Sequence, residues 1–174
     1  MGVTIHFSGK LKSPDDFIRA MAISEEFAEA NTMPYHYFEE DDKLLLRVKN
    51  EEDWDYQGPV KGIRLQPHPN SDPLLLEFDE NYIVQEYCKT QFAGASIHLK
   101  IIELLRKLES YFENLLVNDE GEYWETNDEA VLQEHLDIIF DKIEDAKKEN
   151  PNLNGPFRVA DGRIVDLMKQ DNLS

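Results

Sequence analysis

The sequence predicts an α+β fold in which an antiparallel sheet carries helices on one face. Three observations lead there. The stretches "ASIHLKIIELLRKLESYFENL" and "NDEAVLQEHLDIIFDKIEDAKKEN" repeat apolar residues at the helical period. Between Met33 and Lys89 the pattern changes to short apolar runs broken by turn-formers, which reads as a meander of about five strands. Hydrophobic residues make up 41% of the 174 and aromatics 10%, more than a disordered chain of this charge would carry. That length suits one domain over residues 1–150, with 151–174 as a C-terminal appendage.

The first element is a strand, because "VTIHFSG" alternates Val3, Ile5 and Phe7 with Thr4, His6 and Ser8. A helix follows from about Pro14 to Ala30. Ser13 and Asp16 have the spacing of a capping box, Pro14 stands where its missing N–H is harmless, and Phe17, Ala20, Met21, Ser24, Phe27 and Ala28 recur on one side.

In the meander, "MPYHYFEE" and "KLLLRVK" flank "EDD", which predicts a hairpin turn. "VKGIRLQ" and "PLLLEFDE" flank the proline-rich "PHPNSD", and "YIVQEYCK" closes the series. Alternation puts Leu44, Leu46 and Val48 on one face with Arg47 and Lys49 on the other, and likewise separates Leu74, Leu76 and Phe78 from Glu77.

The long helix after the meander carries Ile97, Ile101, Leu104, Leu105, Leu108 and Phe112 and should cross the sheet as the main core helix. The last helix presents Val131, Leu132, Leu136, Ile139, Phe140 and Ile143, and Thr126 with Glu129 has the spacing of its capping box. In the appendage, Asp161-Gly162 between "FRVA" and "RIVDL" predicts a short hairpin.

Charge is the most distinctive global property: 36 acidic against 18 basic residues, a formal net charge of −18. Nucleic acid and anionic membranes would be repelled, so direct binding to either is not expected, whereas a basic protein would be attracted. No apolar run approaches the roughly 20 residues that cross a bilayer, and the single Cys88 cannot form an internal disulfide, so a cytoplasmic protein is expected.

Candidate sites come from local composition. "DEGEYWETND" places Glu120, Glu122, Tyr123, Trp124 and Glu125 together, an acidic and aromatic surface suited to Lys or Arg side chains of a partner. Its spacing fails the calcium-loop pattern, because Gly121 and Trp124 fall where a ligand and the required glycine would be. The alternative is a pocket using His36, His68, Glu77 and Glu86, with Glu77 and Glu86 on neighbouring strands as paired carboxylates and His68 in a proline-restricted loop. The histidines lack metal-ligand spacing, so neither a metal site nor a cofactor is implied. Cys88, in an acidic setting that would not lower its thiol pKa, reads as a strand residue.

The strand–helix–meander–helix order, over about two thirds of the chain, resembles TATA-binding-protein-like and helix-grip arrangements. That resemblance implies a curved sheet whose uncovered face, with Tyr35, Tyr37, Arg47, Arg64 and Glu77, serves as a ligand platform. Together these features lead to the expectation of a non-catalytic, acidic protein-binding module, immunity-like or inhibitor-like, with a basic partner. The alternatives are a small-molecule binder or enzyme with its site between sheet and helices, and a homodimer joined through the C-terminal hairpin.

Overall fold

The computed structural model describes residues 2–169. In chain order the larger elements are β1 (Thr4–Lys10), α1 (Pro14–Ala30), β2 (Tyr35–Leu45), the short ribbon β3 (Val48–Lys49) and β4 (Glu52–Asp53), β5 (Tyr56–Leu65), β6 (Leu74–Phe78), β7 (Ile83–Lys89), α2 (Ala95–Leu108) and β8 (Leu116–Asp119). The one-turn α3 (Tyr123–Thr126) and the long α4 (Glu129–Glu149) come next. Four two-residue strands end the described chain: β9 (Leu153–Asn154), β10 (Phe157–Arg158), β11 (Ile164–Val165) and β12 (Met168–Lys169). This is an α+β fold with antiparallel sheets, as the sequence predicts.

Strand order is β2-β5-β6 in one half-sheet and β7-β1-β8 in the other. Helices α1 and α2 pack on one face. Ile5 and Phe7 of β1, Ile63 and Leu65 of β5, Leu76 and Phe78 of β6, and Val84 and Cys88 of β7 meet Met21 and Phe27 of α1 and Ile101, Leu104, Leu105 and Leu108 of α2. Helix α4 builds a second cluster from Leu132, Leu136, Ile139 and Ile143 around Val3. Phe140, expected on that stripe, lies largely exposed and edge-on against Phe92, because four residues already fill the buried side.

Local chemistry sets the helix starts. Ser13 Oγ accepts from Asp16 N at 3.1 Å and donates to the Asp16 carboxylate at 2.6 Å, with Pro14 in the first turn. At α4 the cap is Asp128, whose carboxylate accepts from Ala130 N at 2.9 Å, rather than Thr126. Thr126 instead closes α3: its hydroxyl donates to Glu122 O and accepts from Asp128 N.

Two features of the meander differ from the alternation pattern. "EDD" is not a hairpin turn but part of a single strand of 11 residues, accommodated by a bulge where the β2–β5 register shifts between Glu40 and Lys43. Past the bulge exposure still alternates, but Leu45 and Arg47 turn inward and the apolar Leu44, Leu46 and Val48 outward. Leu44, Leu46 and Val48 are 54%, 78% and 56% exposed, whereas Arg47 is only 3% exposed. Arg47 is drawn inward by Asp79, with Nη1 donating to Oδ2 at 2.7 Å and Nη2 to Ile83 O at 3.0 Å, and it lies over Trp54 and Tyr56.

The half-sheets meet at β6 and β7, which form no ladder with each other. Backbone hydrogen bonds close only the ends of this seam: Asp79 N to Ile83 O at 3.0 Å and Asp72 N to Lys89 O at 2.9 Å. A buried aspartate reinforces each end. Asp79 accepts from Asn81 N and Ile83 N besides pairing with Arg47. Asp72 accepts from Lys89 N at 3.0 Å and from Ile164 N at 2.7 Å. On the β5 side, Gly62 is required by close approach, since a Cβ there would fall 1.7 Å from Leu76 O.

The C-terminal arm folds back over the seam. β10 pairs with β11 around the expected Asp161-Gly162 turn, and β12 pairs with β9. Residues 170–174 of the expected appendage lie outside the described residues.

Because Asp79 joins a buried ion pair to two turn amides, Asp79→Ala leaves Arg47 charged and unpaired in the interior. It should cost about 3–5 kcal/mol of folding stability, read from urea melts against a control substitution at exposed Glu80.

Candidate functional site

The face of the sheet opposite α1 and α2 forms a cleft of about 880 Å³. Register determines which side chains reach it. On β1, β7 and β8 the partners His6, Tyr87 and Asn118 lie in one row and Ser8, Gln85 and Leu116 in the next. In the other half-sheet the corresponding rows are His36, Arg64 and Leu75, then Phe38, Gly62 and Glu77. The segment Leu44–Val48 overhangs one side. It is held there by Gln85, whose carboxamide accepts from Val48 N at 2.9 Å and donates to Val48 O at 2.8 Å, imitating a strand partner.

Three of the four residues expected to form a pocket, His36, Glu77 and Glu86, line this cleft, which lies on the open face of the sheet rather than between sheet and helices as expected. His68 does not: it stays in the proline loop, where its Nδ1 accepts from Asn70 N at 2.9 Å. Of the residues expected on the platform, Arg64 and Glu77 are present. Arg47 is buried at the end of the seam, and Tyr35 and Tyr37 fall on the opposite parity, facing α1. There Tyr35 bonds to Glu25 and Glu29, and Tyr37 to Glu25. Burial and the Glu25 contact push the Tyr37 phenol up to about 12, so it remains protonated.

Glu77 and Glu86 are shielded from solvent, contrary to the ordinary fate of a strand glutamate, whereas Glu40 and Asp161 at the cleft lining are exposed. Glu77 pairs with Lys43 at 2.7 Å and Glu86 with Arg163 at 2.8 Å. Arg163 also donates to Tyr87 O at 2.8 Å, lies 3.5 Å from the Asp72 carboxylate and stacks 3.8 Å from the centre of the Tyr87 ring. Burial pushes the Glu86 carboxyl up to about 7; Arg163 opposes this and the Glu77 charge adds to it. Neither Lys43 nor Arg163 is marked by a local motif. Lys43 lies in the bulged strand, and Arg163 is 77 positions from Glu86.

The residues of the acidic loop do not line the cleft. Asp119, buried at the end of β8, accepts from Gly121 N and Trp124 N and so shapes the turn into α3. Glu120 bonds to His6, Glu122 to His135, and Trp124 packs partly buried against the core beneath Arg106. Tyr123 is half-buried and Glu125 exposed.

Behind this loop the Thr90 hydroxyl lies 2.7 Å from His98 Nδ1, and His98 Nε2 lies 3.0 Å from Asp119 Oδ2. Burial favours the neutral Asp119 carboxyl, but the hydrogen bonds from His98 and the two amides hold it below the ordinary carboxylate range. The order hydroxyl, imidazole, carboxylate matches a nucleophile relay, yet all three groups are buried and the cleft does not reach them. They satisfy one another as an internal polar cluster.

Cys88 is fully buried 3.5 Å from Asp72 O, and its thiol is pushed far above its ordinary value by burial. Among the described residues no group of three or more His, Cys, Asp or Glu is arranged to hold a metal ion.

The Glu86 shift fixes a direction for pH dependence. Between about 4.5 and about 7 the folded chain retains a proton on Glu86 that the unfolded chain has released, so this residue makes stability fall as pH rises through that window. Glu86→Gln should flatten the slope of urea midpoint against pH there, and an unchanged slope would contradict the assignment. Comparison of the chain with protein-family models, with curated proteins and with solved structures gave no match.

Proposed function

We propose that the protein is a non-catalytic cytoplasmic binding module, immunity-like or inhibitor-like, whose open sheet face receives an apolar segment of a basic protein. The observation that carries this reading is the rim of the cleft. Leu44, Leu46 and Val48 on one side and Leu116 (60% exposed) on the other leave apolar side chains in water around a concavity of about 880 Å³. Exposed apolar side chains grouped at a concave surface are a common mark of a protein contact. The formal net charge of −18 selects a basic partner and repels nucleic acid and anionic lipid. Of the loop residues, Glu120 adds negative charge at the β8 end of this face, where it meets His6, while Glu122 and Glu125 add to the general negative charge of the surface.

A second reading, chemistry on a small molecule, draws on one observation: Glu86 has a carboxyl raised to about 7 within a cleft that also contains Glu77 and His36. The ion pairs to Lys43 and Arg163 favour the binding reading, because both carboxylates already have cationic partners.

The test uses a synthetic peptide alternating leucine with arginine, followed by NMR shift mapping. Shifts should concentrate on His36, Leu46, Tyr87 and Leu116, and affinity should fall as salt rises. Leu46→Asp and Leu116→Asp should each weaken binding roughly tenfold, about 1.4 kcal/mol, with the fold intact. Shifts mapping to α4, or affinity indifferent to salt, would rule the reading out.

A further inference from the structure

Arg163 makes a full set of recognition contacts, although it belongs to an arm built of two-residue ladders. Its guanidinium stacks on Tyr87 at 3.8 Å, donates to the Glu86 carboxylate and to Tyr87 O at 2.8 Å each, and lies 3.5 Å from Asp72. An aromatic face, a carboxylate and a carbonyl presented together suit the flat, five-donor geometry of an arginine better than the point charge of a lysine. Three of these contacts come from β7 and one from the loop before β6. The slot therefore belongs to the sheet, and the arm supplies only its occupant.

The arm that carries Arg163 consists of ladders two residues long. Its attachments to the body are mainly polar: Ile164 N to Asp72, Lys89 to Asp166 at 2.7 Å, Arg64 to Asp161 O at 3.2 Å, and Arg158 to Pro69 O and Ser71 O. Its apolar anchors are Ile164, buried, and Leu167, half-buried against the α4 cluster. Two-stranded ribbons of this size have little stability of their own. Arg163 and Asp161 also line the cleft, so a ligand on the sheet face meets the arm directly.

We infer that Glu86, Tyr87 and Asp72 form a guanidinium-binding slot, occupied in the free protein by the chain's own Arg163, and that an arginine of the partner segment takes that slot as the arm is displaced. This rests on the binding reading above and narrows it: the basic partner presents arginine, and part of its binding energy is offset by releasing the internal one. Loss of Arg163 leaves Glu86 and the Tyr87 face without their cation, and an incoming guanidinium restores the same contacts.

The experiment compares full-length wild type with Arg163→Ala, titrated with the leucine–arginine peptide and with its leucine–lysine counterpart. The expected result is that Arg163→Ala binds the arginine peptide at least roughly tenfold tighter than wild type does, with a smaller gain for the lysine peptide. Adding Glu86→Gln to Arg163→Ala should abolish the gain. Should the alanine variant fail to fold, Arg163→Lys keeps a cation opposite Glu86 as a weaker occupant and should show an intermediate gain. Equal affinities in wild type and variant, or equal gains for the two peptides, overturn the displaced-arginine inference while leaving the binding reading standing. Absence of binding to every form overturns both.

Discussion

The fold depends on how two half-sheets are joined without a ladder of backbone hydrogen bonds. Asp79 and Asp72, one at each end of β6 and β7, do this with their carboxylates, and each faces an arginine delivered from elsewhere in the chain. Arg47 comes from the segment after β2 and Arg163 from the C-terminal arm. A buried carboxylate is tolerated only when its lone pairs are filled, and both aspartates meet that condition with backbone amides as well as guanidinium groups. The two ends differ in one respect: the Arg47 end is closed by a tight turn between adjacent strands, whereas the Arg163 end is closed by a segment arriving from about 90 positions away.

That difference links the seam to the candidate site. The open face is not a flat sheet, because β6 and β7 separate between their tethered ends and Arg163 reaches Glu86 there. Glu86 follows the alternation of Val84 and Cys88 and pairs with core-facing Phe7, yet its carboxylate is reached from the cleft. Its raised protonation range is a consequence of this position: partly dry, beside the Glu77 charge, and only partly compensated by Arg163. The same placement makes it responsive to whichever cation occupies the slot.

Most of the architecture was legible in the sequence. Period-2 alternation located β1, β6 and β7, helical spacing located α1, α2 and α4, and Ser13 with Pro14 marked the start of α1 correctly. Alternation placed Glu77 on an open face, but β2 was read in the wrong parity, with Tyr35 and Tyr37 outward in place of His36. Errors arose where a local rule stopped applying. The carboxylates of "EDD" resemble a turn but are absorbed by a bulge, and the apolar Leu44, Leu46 and Val48 face outward while Arg47 takes the buried side. Thr126 fits a capping box, yet the neighbouring Asp128 has the extended backbone that a cap requires. The contacts that make the cleft chemical were not legible, since Glu86–Arg163 and Glu77–Lys43 span 77 and 34 positions with no motif to connect them. The proline loop is legible in the sequence, but what Asp72 at its end receives depends on the distant arm.

The bulged strand β2 has one further consequence. It is the outermost strand of its half-sheet, 11 residues long and paired on one side only. A bare strand of that length would invite a second copy of the chain to stack against it and begin a growing fibril. Glu39, Glu40, Asp41 and Asp42 lie exposed in mid-strand, where two copies brought together would confront like charges, and the shifted register spoils the match. Four consecutive carboxylates that look like wasted charge in the sequence thus act as a safeguard against self-stacking, which lets the molecule keep a broad sheet surface uncovered.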